Sequence, residues 1–342
     1  ANAVYGDAAE AYAKALELAG SEEDSARFLK GTITSLIMDG RGRAADKKLA
    51  LFKERYGSRH GDMAEIIYYE GVALVQAKEY EKARNRFKYI LTKLADTEHA
   101  AAAAYQSALA WYYDAEKDKA MTAFAAFVQR YPQSTYVTYA QFKMAMILHE
   151  RDDHARAAEL FETVASDERT DPKTRFRAAN NAALDYQRVS GWVDAARMYR
   201  SIAENFRGEV RMSNLHLKIG FCLVQASRFE EALKHFELAG TDPAEDEKPE
   251  VLYWIGMCYA KLGDHQRAIT ELLKVPYLYA GVGKWGITAE FEAARLYERR
   301  GDYERARSLY TKIVRSDGEH GRFGRSAAER IKQLDNLVLE AQ

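Results

Sequence analysis

A small motif that recurs about every 37 residues constrains the fold of this chain more than any other feature of its sequence. In each copy, an aromatic or polar residue is followed three places later by Ala and, four places after that, by a bulky side chain. The copies are Tyr80-Ala83-Phe87, Lys117-Ala120-Phe124, His154-Ala157-Phe161, Trp192-Ala195-Tyr199, Phe229-Ala232-Phe236, His265-Ala268-Leu272 and Tyr303-Ala306-Tyr310. Successive alanines lie 37, 37, 38, 37, 36 and 38 residues apart. A constant period of this length is typical of a solenoid, whose repeats pack only against their neighbours.

A second small residue precedes each repeat alanine by 12 positions. This small slot holds Gly71, Ala108, Ala145, Ala183, Gly220, Gly256 and Ala294, and a bulky residue follows it three places later in every copy. Residues spaced by three and four share one helical face, and small side chains let two helix backbones approach closely. Glycine within a helix costs about 1 kcal/mol relative to alanine, so three glycines in this slot indicate close packing. The sequence therefore predicts two helices in each repeat.

The positions of glycine and proline, and the lack of strand patterns, agree with an all-α fold. Gly-Asp at 263–264 and 301–302 marks the turn within a repeat, and the 5 prolines are expected between repeats. Runs of alternating β-branched residues, which would predict strands, do not occur. We predict one solenoid over 1–342, with degenerate repeats over 3–56, seven regular repeats over 62–315 and a C-terminal capping helix over 322–342.

Two features near the ends of the chain give separate expectations. Gly6-Asp7 aligns with Gly301-Asp302, which predicts a turn there and a partner helix before Ala1, as in a piece of a longer array. The segment 325–340 carries Ile331, Leu334 and Leu337 on one helical stripe, a pattern that suits a cap at the end of the solenoid.

In each repeat, the order of small residue, bulky residue, alanine and second bulky residue resembles the tetratricopeptide repeat, whose usual period is about 34 residues. The resemblance is good over 62–315 and looser over 3–56, and it implies a right-handed α-solenoid of helix-turn-helix repeats. The segment Ala126-Phe127-Val128-Gln129-Arg130-Tyr131-Pro132-Gln133-Ser134 is similar to repeats of bacterial cell-envelope assembly and division-coordinating proteins.

Composition excludes several classes of partner. Lys plus Arg number 50 and Asp plus Glu number 51, so the formal net charge of -1 gives no general attraction to nucleic acid or to anionic membranes. Apolar runs stay below the roughly 18 residues needed to span a bilayer. Cys222 and Cys258 occupy the same slot of adjacent repeats, where helix spacing of about 8–10 Å disfavours a disulfide, and both are predicted to be apolar packing residues.

Signals for catalysis, cofactors or metals are weak, and we predict none of the three. Residues 281–286 fit the pattern GxGxxG, but a dinucleotide loop requires a strand before it, and this segment lies between two predicted helices. His149 and His154 flank Asp152 and Asp153 within a turn, without the ligand spacing of a tetrahedral metal site.

With catalysis, cofactors and metals disfavoured, the sequence favours a surface that binds another protein. The resemblance implies that the first helix of each repeat lines a concave groove, where we predict contacts with an acidic or C-terminal partner segment. Lysine, arginine and asparagine can bind carboxylates and peptide backbone, and aromatic rings add amphipathic contact area. The predicted groove residues are Lys143, Arg177, Asn181, Lys218, Tyr69, Tyr113, Tyr139 and Trp254. The alternative interpretation is an ordinary solvated face.

Three functional classes stay open at this point. The first is a scaffold or adaptor in a bacterial envelope assembly, located in the periplasm or cell envelope. The second is a cytosolic peptide-binding adaptor of the co-chaperone or regulator type. The third, an enzyme on an α/α frame, is disfavoured because catalytic sites usually break a repeat pattern locally and this pattern is unbroken.

Overall fold

The computed structural model describes residues 2–279, 285–318 and 320–340, with the backbone alone described for residues 2, 3 and 337–340. All regular structure in these ranges is α-helical, which confirms the all-α prediction. The chain divides into two compact units, an N-terminal unit over 1–171 and a C-terminal unit over 172–342. The single solenoid with its internal boundaries stays a prediction.

The N-terminal unit contains nine described helices, and each packs against the next one along the chain except that α4 packs against α2 instead of α3. They are α1 (Asn2–Glu17), α2 (Glu22–Met38), α3 (Gly42–Tyr56), α4 (His60–Gln76), α5 (Tyr80–Lys93), α6 (His99–Tyr113), α7 (Lys117–Arg130), α8 (Val137–His149) and α9 (His154–Ser166).

The C-terminal unit contains described helices that each pack against the next one along the chain. Its helices are α10 (Pro172–Arg188), α11 (Trp192–Asn205), α12 (Met212–Gln225), α13 (Phe229–Ala239), α14 (Lys248–Lys261), α15 (His265–Leu278), α16 (Trp285–Arg299), α17 (Tyr303–Asp317) and α18 (Arg322–Glu340).

The repeated motif marks the start of the second helix of each regular repeat. The first residue of each of the seven copies is also the first residue of α5, α7, α9, α11, α13, α15 or α17. All seven repeat alanines are fully buried, as are the four alanines of the small slot on the first helices. The two patterns read from the sequence are therefore the two faces along which the helices of one repeat meet.

The glycines of the small slot lie where two helices come closest. A Cβ atom at Gly220 of α12 would be 2.6 Å from Cε1 of Phe236 on α13, and one at Gly256 would be 2.7 Å from Cγ of Leu272. Phe236 and Leu272 are themselves fully buried. Glycine at these positions thus removes a steric conflict with the bulky residue of the motif, as the sequence predicted.

The turn within each regular repeat contains one residue in the left-handed region, two places before the second helix. These residues are Lys78, Ala115, Asp152, Ser190, Ser227, Gly263 and Gly301. Gly263 and Gly301, with φ of 85° and 77°, belong to the two Gly-Asp pairs expected at turns. Asp264 and Asp302 then accept hydrogen bonds from backbone N–H groups of the next helix. The other five turns hold side chains in a conformation that costs them energy.

Ala115→Gly should raise the free energy of unfolding by about 1 kcal/mol, because alanine at φ 62° is strained and glycine is not. Ala125→Gly is the matched control, since Ala125 is exposed within α7 and the same change there should lower stability by about 1 kcal/mol. Urea denaturation of both variants measures the two values. Equal destabilisation by both would contradict the strain.

Two local predictions were wrong. Gly6 and Asp7 lie within α1, which runs without interruption from Asn2 to Glu17, so no turn occurs there. Pro276 lies inside the last turn of α15 and not between repeats. Pro172 and Pro249 occupy the first turns of α10 and α14, where a missing N–H costs little.

The helix α18 packs on the helices before it. Its residues Ala327 and Leu334 are buried in a cluster with residues of α16 and α17.

Candidate functional site

In the N-terminal unit, the predicted groove residue Lys143 on α8 lies against a group of aromatic rings. Its ammonium nitrogen is 4.6 Å from the centroid of the Tyr112 ring and 5.8 Å from that of Tyr113. Lys117 approaches the same Tyr112 ring at 3.7 Å and pairs with Glu150 at 3.1 Å. Cations over aromatic faces are attracted by the ring quadrupole. This arrangement fixes two positive charges above a tyrosine surface.

Three further tyrosines of the prediction lie on the first helices of this unit. Tyr113 is 50% exposed and stacks on Tyr80 with ring centroids 6.5 Å apart. Tyr139 donates a hydrogen bond of 2.9 Å to Asp171, which raises the pKa of that phenol. Tyr69 packs edge-on against the preceding tyrosine, and burial raises its pKa. The structure thus joins Lys143 to Tyr113 and gives Tyr69 and Tyr139 contacts of their own.

The segment that resembles envelope-assembly repeats lines a pocket of about 680 Å³ in the same unit. Arg130, Tyr131 and Pro132 form one wall, and the start of α6 forms the other. Behind it, Tyr136 stacks on Tyr105 with ring centroids 4.9 Å apart. The pocket combines an arginine with apolar and hydroxyl groups, a composition suited to a peptide side chain.

In the C-terminal unit, three predicted polar residues are presented by α10 and α12. Arg177 is exposed and Asn181 half-buried, and they lie one turn apart on the same face of α10. Lys218 of α12 is exposed, with its nitrogen 5.7 Å from the centroid of the Tyr199 ring. Lys218 also lines a cleft of about 330 Å³ together with Arg211.

Hydrogen bonds to one carboxylate fix the floor of this cleft. Glu247 accepts from Ser213 at 2.8 Å, from Asn214 at 3.2 Å and from the backbone N–H of Ala244 at 2.9 Å. Burial alone would raise the pKa of Glu247, but these bonds together hold it below its ordinary value. The cleft therefore keeps a charged carboxylate engaged with the protein and leaves two cationic side chains along its edge.

Trp254 belongs to a row of aromatic rings that, apart from Phe236 of α13, lie on the first helices of this unit. Its ring centroid is 5.6 Å from Phe221, 6.0 Å from Phe236 and 5.1 Å from Tyr253, and Trp285 lies 5.0 Å from Tyr253. The indole N–H of Trp254 donates to Glu250 at 3.2 Å. All of these rings except Phe236 are partly exposed, so the row is both a packing element and a surface.

The eight predicted residues are divided between the two units. Lys143, Tyr69, Tyr113 and Tyr139 belong to the N-terminal unit, and Arg177, Asn181, Lys218 and Trp254 belong to the C-terminal unit. One continuous groove that joins them stays a prediction. Sequence reasoning missed Tyr112 and Lys117, although the Tyr-Tyr pair at the end of α6 was a visible signal.

A histidine pair in the C-terminal unit was also missed. His216 of α12 and His235 of α13 approach with their Nδ1 atoms 3.0 Å apart, within hydrogen-bonding distance. Burial, the charge of His216 and the nearby Arg200 lower the pKa of His235 to about 4. Burial and Arg207 lower the pKa of His216. The lowered pKa values favour the neutral form of both rings near pH 7, in which the Nδ1–H of one ring donates a hydrogen bond to Nδ1 of the other.

Acidification should destabilise the protein through this pair. Between the unfolded histidine value of about 6.5 and about 4, the unfolded chain binds more protons than the folded chain, so stability falls as pH drops. Urea midpoints between pH 7 and pH 4.5 should decline less steeply in His235→Gln than in the wild type. His60→Gln, at an exposed histidine, should keep the wild-type slope. Parallel slopes for all three proteins would contradict the assignment.

The structure describes most of the residues that the sequence suggested as a disulfide, a dinucleotide loop or a metal site. Cys222 and Cys258 are free and buried, and burial raises their thiol pKa values to about 11 and about 12, as expected of packing residues. Residues 281–284 of the GxGxxG segment lie outside the described residues, and Trp285 begins α16. The rings of His149 and His154 are 5.4 Å apart at a turn.

Within the described part of the chain, no helix combines the length and the apolar character that crossing a bilayer requires.

Two family models match the chain. The model of the YfiO family, described as outer membrane lipoprotein, matches residues 61–272, more than half of the chain and the region that carries both surfaces. A tetratricopeptide repeat model matches residues 291–321, over α16 and α17. The predicted resemblance to tetratricopeptide proteins of envelope assembly is thereby confirmed.

Individual relatives agree with these matches. The outer membrane protein assembly factor BamD of Neisseria meningitidis serogroup A is 25% identical over 227 residues, which cover 63% of this chain and 81% of the relative. BamD of Neisseria gonorrhoeae is 24% identical over 51% of this chain, and the match spans just under two thirds of that relative, 65%. The solved structure of Naa15/Naa10 bound to HypK-THB superposes with a TM-score of 0.61 at 12% identity, covering 80% of this chain and 39% of that chain. That likeness concerns the fold alone.

Proposed function

This chain belongs to the YfiO family of outer membrane lipoproteins, and from that membership we propose that it is a non-enzymatic scaffold in an assembly at the bacterial outer membrane. The family match over 61–272 carries the proposal, because it spans the repeats that present Lys143 and Lys218. The relatives named outer membrane protein assembly factor support the same setting, the cell envelope. A cytosolic peptide-binding adaptor is the second candidate, on the ground of the repeats alone.

The two first-helix surfaces support protein binding as the scaffold's task. Each combines cations with partly exposed aromatic rings: Lys143 approaches Tyr113 in one unit, and in the other Lys218 lies one helical turn before Phe221, which contacts Trp254. Tyrosine, tryptophan and arginine side chains dominate the energetics of many protein interfaces, and lysines at the rim add charge complementarity. We propose that these surfaces receive an acidic or C-terminal segment of a partner, whose carboxylates accept hydrogen bonds from Lys143, Arg177 or Lys218 and whose backbone meets Asn181.

The test of this function is a pair of charge reversals, Lys143→Glu with Lys218→Glu. The full chain is used in affinity purification from a native envelope extract and in titration with an acidic synthetic peptide that has a free C-terminal carboxylate. We expect the double variant to lose the envelope partners and to weaken peptide binding by about tenfold or more, and we expect wild-type binding to weaken as salt rises.

Lys88→Glu with Lys234→Glu is the matched control. Both lysines are exposed on second helices, one in each unit, so the change of net charge is the same. This control should bind as the wild type does. Partners and peptide affinity that are unchanged in the Lys143/Lys218 variant, with an intact circular dichroism spectrum, would place binding elsewhere. Fractionation of the native full-length protein into the cytosol would favour the adaptor.

A further inference from the structure

A second pocket of the C-terminal unit shares no described lining residue with the cleft beside Lys218, although both border the loop 240–247. It has a volume of about 880 Å³, is open to solvent and is bordered by the end of α13, the loop 240–247, α14 and the end of α15. Its described lining includes none of the eight residues predicted for the groove. The pocket therefore calls for an explanation separate from the proposed scaffold surfaces.

The inner wall of this pocket is apolar. Val251, Leu252 and Ile255 of α14 form one side, and Leu278 and Tyr279 at the end of α15 form the other. Val251 is buried, whereas Leu278 is 55% exposed and the adjacent Tyr277 is 85% exposed. Large side chains left this exposed beside a concave apolar wall indicate a surface that another molecule covers.

The rim of the pocket is acidic. The segment 241–250 contains five acidic residues and one lysine. The two lysines that line the pocket are already paired, Lys248 with Glu245 at 2.5 Å and Lys274 with Glu271 at 2.7 Å. Glu237 and Asp242 are exposed and make no ion pair within the part of the chain that the structure describes. Two carboxylates thus remain at the rim without a cation.

We propose that this pocket docks a basic amphipathic segment of a partner protein. Its apolar side chains pack on Leu252 and Leu278, and its Lys or Arg side chains meet Glu237 and Asp242. Amphipathic segments bind grooves of this kind by apolar anchors spaced along one face, and charge complementarity fixes their orientation. The same rim repels carboxylates and lipid phosphates, so it selects a partner of opposite charge to the one expected on the first-helix surfaces.

The test measures fluorescence anisotropy of a labelled synthetic helix-forming peptide of leucine and lysine, titrated with the full chain. Glu237→Lys with Asp242→Lys should weaken binding by about tenfold, since two attractive charges become repulsive. Glu204→Lys with Glu209→Lys is the matched control; both residues are exposed outside the pocket, and the net charge changes equally. This control should retain affinity within about twofold. A counterpart peptide with glutamate for every lysine should not lose affinity when Glu237 and Asp242 are replaced by lysine.

Leu278→Glu tests the apolar half of the site, and the fold should stay intact because Leu278 is 55% exposed. It should weaken the lysine peptide at both low and high salt, whereas Lys143→Glu with Lys218→Glu should leave that peptide's affinity at the wild-type level. The proposal is overturned if the wild type does not bind the lysine peptide, if the control pair weakens binding as much as the rim pair, or if anionic vesicles bind in its place.

Discussion

Truncation of Phe161 to alanine should lower the free energy of unfolding by about 3–5 kcal/mol, the usual cost of removing a buried phenylalanine side chain. Phe161 is fully buried on α9, and its ring lies 5.3 Å from that of Phe142 on α8. The loss combines the transfer free energy of the ring with the cavity left between the two helices. Guanidinium denaturation of the purified chain measures it.

Two comparisons separate a core role for Phe161 from a role in partner contact. Tyr89→Ala removes a similar volume from a 49% exposed site on α5 and should change stability by about 0.5 kcal/mol or less. Phe161→Leu keeps most of the apolar volume and should cost less than Phe161→Ala. A Phe161→Ala protein with wild-type stability that no longer binds partners would make Phe161 a ligand contact.

The repeat architecture could be predicted because each of its determinants is local in the sequence. A buried alanine, a bulky residue four places later and a small residue 12 places earlier are fixed by helical spacing, and the structure buries all of them. The turns were predictable only at Gly263 and Gly301. Ala115 and Ser190 adopt the same left-handed conformation without a sequence signal, since the two packed helices impose it.

The Gly6-Asp7 prediction failed for a related reason. This dipeptide marks a turn at Gly301-Asp302, where the glycine has φ of 77°. In α1 it is surrounded by alanines, including Ala8, Ala9 and Ala11, whose helix propensity outweighs the weak local signal of one glycine. A dipeptide thus identified a turn only where the packing slots on both sides also required one.

The sequence predicted which helix carries each candidate residue, but it did not predict which side chains that residue contacts. Lys143, Asn181 and Lys218 each lie two residues before the small slot, and this position correctly places them on first helices. The approach of Lys143 to Tyr112, like that of His216 to His235, depends on rotamers and on the spacing of different helices. Comparing slots between repeats would have helped, since the positions equivalent to the two histidines in the next repeat hold Leu252 and Glu271.

Replacement of Gly220 by alanine should destabilise the protein by about 1–3 kcal/mol, although alanine is the better helix former by about 1 kcal/mol. The new Cβ would lie 2.6 Å from Cε1 and 2.7 Å from Cζ of Phe236, which is fully buried. The Phe236 ring is stacked on Trp254 with an interplanar angle of 8°, so relief of the clash would also displace the aromatic row.

Gly61→Ala is the control that separates the steric clash at Gly220 from the gain in helix propensity that any glycine-to-alanine change in a helix brings. Gly61 lies in α4, and a Cβ there would meet nothing within 4 Å, so alanine should stabilise the protein by up to about 1 kcal/mol. Phe236→Leu in the Gly220→Ala background should recover part of the loss, because a smaller side chain makes room for the methyl group. Urea denaturation and tryptophan fluorescence follow stability and the Trp254 environment together. If Gly220→Ala stabilised the chain as Gly61→Ala does, the small slot would have no packing role, and the close approach of first and second helices that positions Trp254 would need another cause.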